Sequence, residues 1–97
     1  MLLGNKIKSL RDEKGILQRQ VAAYLEIDTP MFSKIERGDR RAKRGQVPQL
    51  AEYFHVDEKE LLILWLADRI LDAIEGEKEL QFRAIEVAKH ELTKADL

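Results

Sequence analysis

The stretch QRQVAAYLEIDTPMFSKIERG, residues 18–38, decides how this chain folds. Its large apolar residues recur at helical spacing in two short groups, and they are Val21, Leu25, Phe32 and Ile35. Two short helices joined by a turn of three or four residues can bury a shared face only by crossing steeply. Such a crossing requires a small residue, and Ala22 is there, while Ile27 is expected to fill the gap in the turn. The stretch therefore predicts a helix-turn-helix.

Helical patterns continue on both sides of this stretch. Spacing at i, i+4 and i+7 predicts a first helix, whose buried face would be Leu3, Ile7 and Leu10. Gly15 would end that helix in a left-handed conformation. The third helix would begin at Thr29 and Pro30, because threonine can cap a helix and proline suits its first turn. Later spacing predicts three more helices: a fourth opening near Pro48, a fifth over 58–74 and a sixth over 77–94.

No segment alternates apolar and polar residues over a useful length, and β-branched residues are sparse. The sequence therefore predicts an all-α protein. No linker or internal repeat separates its parts, so we expect a single domain over residues 1–97. Within it, residues 1–62 would form the helix-turn-helix core, and residues 63–97 would form a C-terminal helical extension.

Composition excludes several classes of protein. The 97 residues suffice for one domain, and contents of 44% hydrophobic and 36% charged residues exclude a disordered tail. The absence of cysteine excludes disulfides and thiolate metal sites. The longest apolar run, residues 61–67, is far shorter than the roughly 20 residues that span a membrane, and no apolar signal core precedes Lys6. We expect a cytoplasmic protein.

The net charge of −1 conceals two oppositely charged halves. Residues 1–45 hold eleven Lys and Arg against six Asp and Glu, whereas residues 46–97 hold six against twelve. Chance segregation on a highly charged surface is one explanation. The other is that the basic half faces a polyanion, and a helix-turn-helix in that half favours double-stranded DNA, with its second helix in the major groove.

The chain resembles the Xre/Cro-type, lambda-repressor-like family of helix-turn-helix DNA-binding domains over about residues 3–62. The resemblance rests on a shared register, carried by Leu3-Gly4, residues 7–11, 15–18 and 33–38, Leu50-Ala51 and Val56. It implies a five-helix domain, here with a sixth helix, and a sequence-specific transcriptional regulator that binds an inverted repeat as a homodimer. A restriction–modification controller or a phage-like repressor would fit. The alternative is an antitoxin or protein-interaction module whose C-terminal helices bind a partner protein.

The resemblance also implies which residues contact DNA. In the family, positions matching Gln18 contact phosphate, those matching the exposed face of the third helix meet base edges, and the following loop contacts the backbone. The candidate set is Gln18, Arg19, Thr29, Pro30, Ser33, Lys34, Arg37, Arg40, Arg41, Lys43 and Arg44. Arg44 is the candidate for a contact in the minor groove. Arg11 is left out, because the matching residue in the family pairs with the one matching Glu36 inside the domain.

The sequence departs from the family pattern in three places. Glu26 stands where the turn often has glycine, so the turn backbone is expected to differ. Leu17 replaces a capping Ser or Thr. The loop at residues 40–44 lacks the proline common there, which leaves open the path of the loop and the phosphate that each arginine reaches.

The apolar fifth helix predicts a partner surface. One face of this helix can pack on the domain, and the other would stay exposed, which soluble monomers avoid. We expect a homodimer interface formed by Leu62, Trp65, Leu66, Ile70, Phe82 and Ile85. The sixth helix could instead cover that face within one chain, or it could pack across the interface.

Catalytic and cofactor sites are not indicated. The two histidines, His55 and His90, have no ligand-type partner at helical spacing. No Ser-His-Asp set, glycine-rich phosphate loop or paired-carboxylate motif occurs. We therefore expect no enzyme, no cofactor and no metal.

Overall fold

Six helices account for the regular structure of residues 1–95, the part of the chain that the computed structural model describes. They are α1 (Leu2–Lys14), α2 (Gln18–Tyr24), α3 (Thr29–Arg37), α4 (Gln46–Phe54), α5 (Glu58–Ala73) and α6 (Gln81–Ala95). The prediction of an all-α fold with six helices is confirmed. Over the same 95 residues, no helix combines the length and the apolar character needed to cross a membrane.

Helices α1 to α5 enclose one apolar core. Its fully buried large side chains come from all five helices, and they are Ile7, Val21, Phe32, Val47, Leu50, Phe54 and Leu61. α1 packs against both α3 and α5, α2 packs against α3, and Ala22 of α2 is buried. The core thus fixes the orientation of α3, whose outer face is the candidate DNA-contact surface.

The close contact between α1 and α3 depends on a glycine. A Cβ atom built on Gly4 would lie only 2.8 Å from the carbonyl oxygen of Ile35, and it would also overlap the carbonyl of Glu36. Any side chain at this position would therefore push the two backbones apart. Gly4 lets α1 reach the end of α3.

Local signals place most helix ends correctly. Gly15 and Gly38 end α1 and α3 in the left-handed conformation, with φ of 67° and 81°. The cap of α3 differs from the prediction, because Asp28 rather than Thr29 caps the helix. The Asp28 Oδ1 atom accepts a hydrogen bond from the Met31 amide at 2.7 Å, and Thr29 is already the first helical residue.

The turn between α2 and α3 keeps its left-handed residue without a glycine. Glu26 has φ of 59°, so the expectation of a different turn backbone is wrong. The amide of Ile27 donates to the Ala22 carbonyl at 3.0 Å, which holds this turn closed. At the start of α2, Leu17 supplies no cap, and the Gln20 side chain accepts from the Leu17 amide at 2.8 Å instead.

Trp65 belongs to the core, and its assignment to a dimer interface is therefore wrong. Only 6% of Trp65 is exposed, and its indole Nε1 donates to the Ala42 carbonyl at 2.7 Å. A buried indole N–H needs an acceptor, and the loop after α3 supplies it. Leu62 is half-buried against the same core. The contact also fixes the path of a loop that has no proline.

α6 starts four residues later than predicted, at Gln81 rather than at residue 77. Its described residues include no buried side chain, so α6 does not cover α5 within one chain, which was one of the two arrangements left open by the sequence. A hydrogen bond from Gln81 Nε2 to the Ile74 carbonyl, at 2.9 Å, ties its start to the end of α5. An amphipathic pattern requires an apolar surface to be covered but does not specify which surface covers it.

Candidate nucleic-acid interface

α3 presents an outer face made of sequence-predicted residues. Its inward side is buried and consists of Phe32, Ile35 and Glu36. Pro30, Lys34 and Arg37 are exposed and follow one another at i, i+4 and i+7, so they share the opposite face. Thr29 and Ser33 are half-buried beside them. The structure therefore brings the α3 part of the candidate set together on one accessible surface.

Two of these side chains, Arg37 and Ser33, are joined by a hydrogen bond. Arg37 donates to Ser33 Oγ at 3.2 Å and to Asp39 Oδ2 at 3.0 Å. Lys34 forms no ion pair with any residue from 1 to 95. Lys34 is thus the cation on this face that is most accessible to an external acceptor.

Gln18 and Arg19 lie at the start of α2, next to the end of α3. Gln18 is half-buried, and its Nε2 donates to Glu36 Oε1 at 2.9 Å. Arg19 is exposed. The hydrogen bond fixes the Gln18 side chain and leaves its amide oxygen and second amide N–H, together with the exposed Arg19, available to an external partner.

The buried carboxylate of Glu36 organises this corner. Arg11 donates to it twice, from Nε to Oε2 at 2.7 Å and from NH2 to Oε1 at 3.1 Å, and also donates to the Ile16 carbonyl. The hydrogen bond to Glu36 raises the pKa of Arg11 above its ordinary value. The expected internal pair is confirmed. Arg11 has its fork occupied inside the domain and is unavailable to DNA.

The basic loop, residues 39–45, divides its cations among different partners. Arg41 forms an ion pair with Asp72 of α5. The Arg44 guanidinium lies over the Trp65 ring, 5.8 Å from its centroid, within the range of a cation–π contact. Arg40 and Lys43 are exposed, and neither forms an ion pair in the described part of the chain. From the sequence, all four cations of the loop are candidate DNA contacts. Among the described residues, two of the four, Arg40 and Lys43, have no internal partner.

A cleft of about 280 Å³ separates the basic loop from α5 and the start of α1, and Asp39, Asp68 and Asp72 line it. Asp68 is buried and caps α1 across the domain, because its two carboxylate oxygens accept from the amides of Leu2 and Leu3 at 2.9 and 3.0 Å. The sequence reasoning missed Asp68 and Asp72. Their signal is a pair of acids at i, i+4 in an apolar helix.

The far side of α5 and most of α6 expose large apolar side chains. Among the residues assigned to a dimer interface, Leu66, Ile70, Phe82 and Ile85 are exposed. Five further exposed apolar side chains were not assigned to that interface, and they are Ile63, Leu71, Leu80, Val87 and Leu92. Ile63 is 64% exposed and lies one turn before Leu66, so helical spacing from Leu66 could have found it. These side chains form a candidate partner surface on α5, α6 and the residues between them.

Comparison with models of known protein families gives a match. The family model described as a helix-turn-helix domain matches residues 2–62, which is more than half of the chain. Searches of the curated proteins and of the solved structures gave no match.

Proposed function

The chain belongs to the helix-turn-helix domain family, and on this premise we propose that it is a sequence-specific, double-stranded-DNA-binding transcriptional regulator. The observation that carries the proposal is the exposed face of α3, which lies between the start of α2 and the basic loop. Its role is binding, with no catalytic step. The narrower class of restriction–modification controller or phage-like repressor rests on family resemblance alone.

α3 would enter the major groove with its outer face toward the bases. Lys34 can donate to the O6 and N7 atoms of guanine, and Ser33 can donate or accept. Pro30 has no polar side-chain atom, so it would contact an apolar group such as a thymine methyl. Thr29 at the first turn would add a hydroxyl beside them.

Phosphate contacts would come from both sides of α3. Arg19 at the start of α2 and the exposed Arg40 and Lys43 of the basic loop are the cations free to neutralise the DNA backbone. Arg44 would have to leave the Trp65 ring to reach the minor groove. Such contacts position the protein on DNA and carry no sequence information.

We further propose that the protein acts as a homodimer. Ile63, Leu66 and Ile70 expose an apolar stripe on α5, and exposure of this kind marks an interaction surface. Two α3 helices related by a twofold axis and separated by about 34 Å would read an inverted repeat. Apart from Asp72, which pairs with Arg41 of the basic loop, the acidic C-terminal half would face away from DNA, since like charges repel.

Selection from a random duplex library tests the proposal. The protein should enrich an inverted repeat whose half-sites lie about 10 base pairs apart. Lys34→Ala should relax base preference at one position per half-site and cost ~1–3 kcal/mol on the selected site. Lys59→Ala removes a lysine at the start of α5 and should change neither. Failure of the wild-type protein to enrich any sequence would refute sequence-specific binding.

Salt titration tests the phosphate contacts. A dimer that neutralises about 6–10 phosphates should lose roughly 10³–10⁵ in affinity between 50 and 200 mM salt. Arg40→Ala should weaken binding to selected and random duplexes alike and reduce the salt slope. An affinity that does not change with salt would contradict the contacts proposed for the basic loop.

One observation favours the alternative of a protein-interaction module. α6 is fully helical over Gln81–Ala95 and yet buries no side chain of its own in this range. A partner protein of the antitoxin type could use α6 while the N-terminal domain autoregulates. A protein that stays monomeric at micromolar concentration and captures one heterologous partner through α6 would support this function over the homodimer.

A further inference from the structure

The ion pair between Arg41 and Asp72 connects the candidate DNA surface to the end of α5. Arg41 belongs to the basic loop, and Asp72 lies in the last turn of α5, 31 residues further along the chain. The neighbouring carboxylates of the cleft are otherwise engaged, because Asp39 accepts from Arg37 and Asp68 caps α1. Asp72 is therefore the carboxylate of α5 that meets a cation of the basic loop.

The pair is accessible to a competitor. The side chains of Arg41 and Asp72 are 41% and 39% exposed, so water and ions reach both partners. An ion pair of this exposure is weak, because its Coulomb energy is largely screened. A DNA phosphate offers the same guanidinium a fork-shaped acceptor in a stronger field. Phosphate and Asp72 are thus alternative partners for one side chain.

We propose that Asp72 is a built-in competitor of DNA phosphate for Arg41 and sets the affinity of the protein for DNA below what its basic loop could provide. The inference rests on the proposed function, since it requires that the basic loop meets DNA. When DNA binds, Arg41 either leaves Asp72 for a phosphate or stays paired and contributes nothing. In both cases the carboxylate lowers the affinity.

The effect should be independent of DNA sequence. Phosphate contacts carry no base information, so removal of the competitor strengthens binding to every duplex. Asp72→Asn keeps the shape of the side chain and removes its charge. It should tighten binding roughly two- to fivefold per protomer, which is the range that exposed ion pairs are worth. If Arg41 gains a phosphate, the slope of log affinity against log salt should steepen by up to about 0.9 per protomer.

The test uses the full chain and a fluorescent random-sequence duplex of about 20 base pairs, with affinity measured by anisotropy at several salt concentrations. Four proteins are compared: wild type, Asp72→Asn, Arg41→Gln and the double variant. Glu75→Gln is the matched control, because Glu75 is an exposed acid just beyond α5 that does not pair with Arg41. The substitution removes the same charge as Asp72→Asn. Circular dichroism checks folding, and Asp72→Ala provides a second variant.

The expected result is a gain for Asp72→Asn that exceeds the gain for Glu75→Gln and disappears when Arg41 is already Gln. If Asp72→Asn increases the affinity equally in the Arg41→Gln background, the effect is general charge repulsion between the protein and DNA. That result would overturn the inference. A loss of affinity would also overturn it, since Asp72 would then hold Arg41 in position for DNA. In both of these cases the wild type still binds, so the proposed function stands. If no variant binds any duplex at 50 mM salt, the proposed function itself fails, and the inference fails with it.

Discussion

At the scale of single residues, buried polar groups decide which side chains are free to bind where the start of α2 meets the end of α3. The Glu36 side chain is 3% exposed and is satisfied by Arg11 and Gln18 together. A buried carboxylate without its partners is costly, so these bonds hold the start of α2 against the end of α3. Some of the residues that the sequence suggests as DNA contacts therefore form bonds within the domain, and others are free to bind an external partner.

Arg11→Ala should destabilise the protein by about 3–5 kcal/mol, because it leaves the Glu36 carboxylate buried with one partner fewer. Urea unfolding measures the loss. Arg83→Ala breaks an exposed pair with Glu86 on α6 and is the control, with an expected change below about 1 kcal/mol. A small loss for Arg11→Ala would show that water reaches Glu36.

The Arg11 contribution should not vary with pH in the neutral range. Hydrogen bonding to Glu36 raises the pKa of Arg11 above its ordinary value, so the folded state favours the charged guanidinium. A raised pKa in the folded state contributes stability that is fully present below the ordinary value and is lost only as pH rises through the raised one. The difference in unfolding free energy between wild type and Arg11→Ala should therefore stay constant around pH 7.

Glu26→Gly should stabilise the protein by up to about 1 kcal/mol. The left-handed conformation costs a residue with a side chain about 1–2 kcal/mol, and the larger entropy that glycine loses on folding offsets part of this gain. Thermal unfolding measures the effect. Glu13→Gly, in the last turn of α1, should instead cost up to about 1 kcal/mol. If both substitutions destabilise equally, Glu26 is not strained in its turn.

At the scale of elements, the α1–α3 contact sets how far α3 projects from the core. Gly4→Ala should cost about 1–3 kcal/mol, because its methyl group would meet the backbone carbonyls that end α3. Gly45→Ala is the matched control, since no atom lies within 4 Å of its added Cβ and its φ of −66° suits alanine. Denaturant midpoints compare the two variants. Equal and small losses would mean that α1 can move away from α3 without cost.

At the scale of the whole molecule, the proposed function assigns DNA binding to the basic half and self-association to the apolar α5–α6 surface. Ile70→Glu should raise the dimer dissociation constant at least about tenfold, because burying a large apolar side chain is worth ~1.5–3 kcal/mol. Sedimentation velocity measures the change, and Ile70→Leu, which stays apolar, is the control. Binding to an inverted repeat should weaken in parallel. A dimer that survives Ile70→Glu would place its interface elsewhere.

Much of the fold follows from the sequence, because helices obey short-range rules. Spacing among Phe32, Ile35 and their neighbours predicts the buried face of α3, and Gly15 and Gly38 predict the ends of α1 and α3. The exposed face of α3 then follows by elimination. Errors arise where two local signals compete, as with Asp28 and Thr29 for the cap of α3.

The tertiary structure alone decided the partners of residues that are far apart in the chain. The Trp65 indole finds the Ala42 carbonyl 23 residues away, and Arg41 finds Asp72 31 residues away. Periodicity identifies the side of a helix that must be buried, and the sequence shows which residues are charged. Which residue each of them contacts depends on how close the helices and loops come in the folded chain. For the same reason, the sequence specified α6 as an amphipathic helix, and only the packed structure left it uncovered.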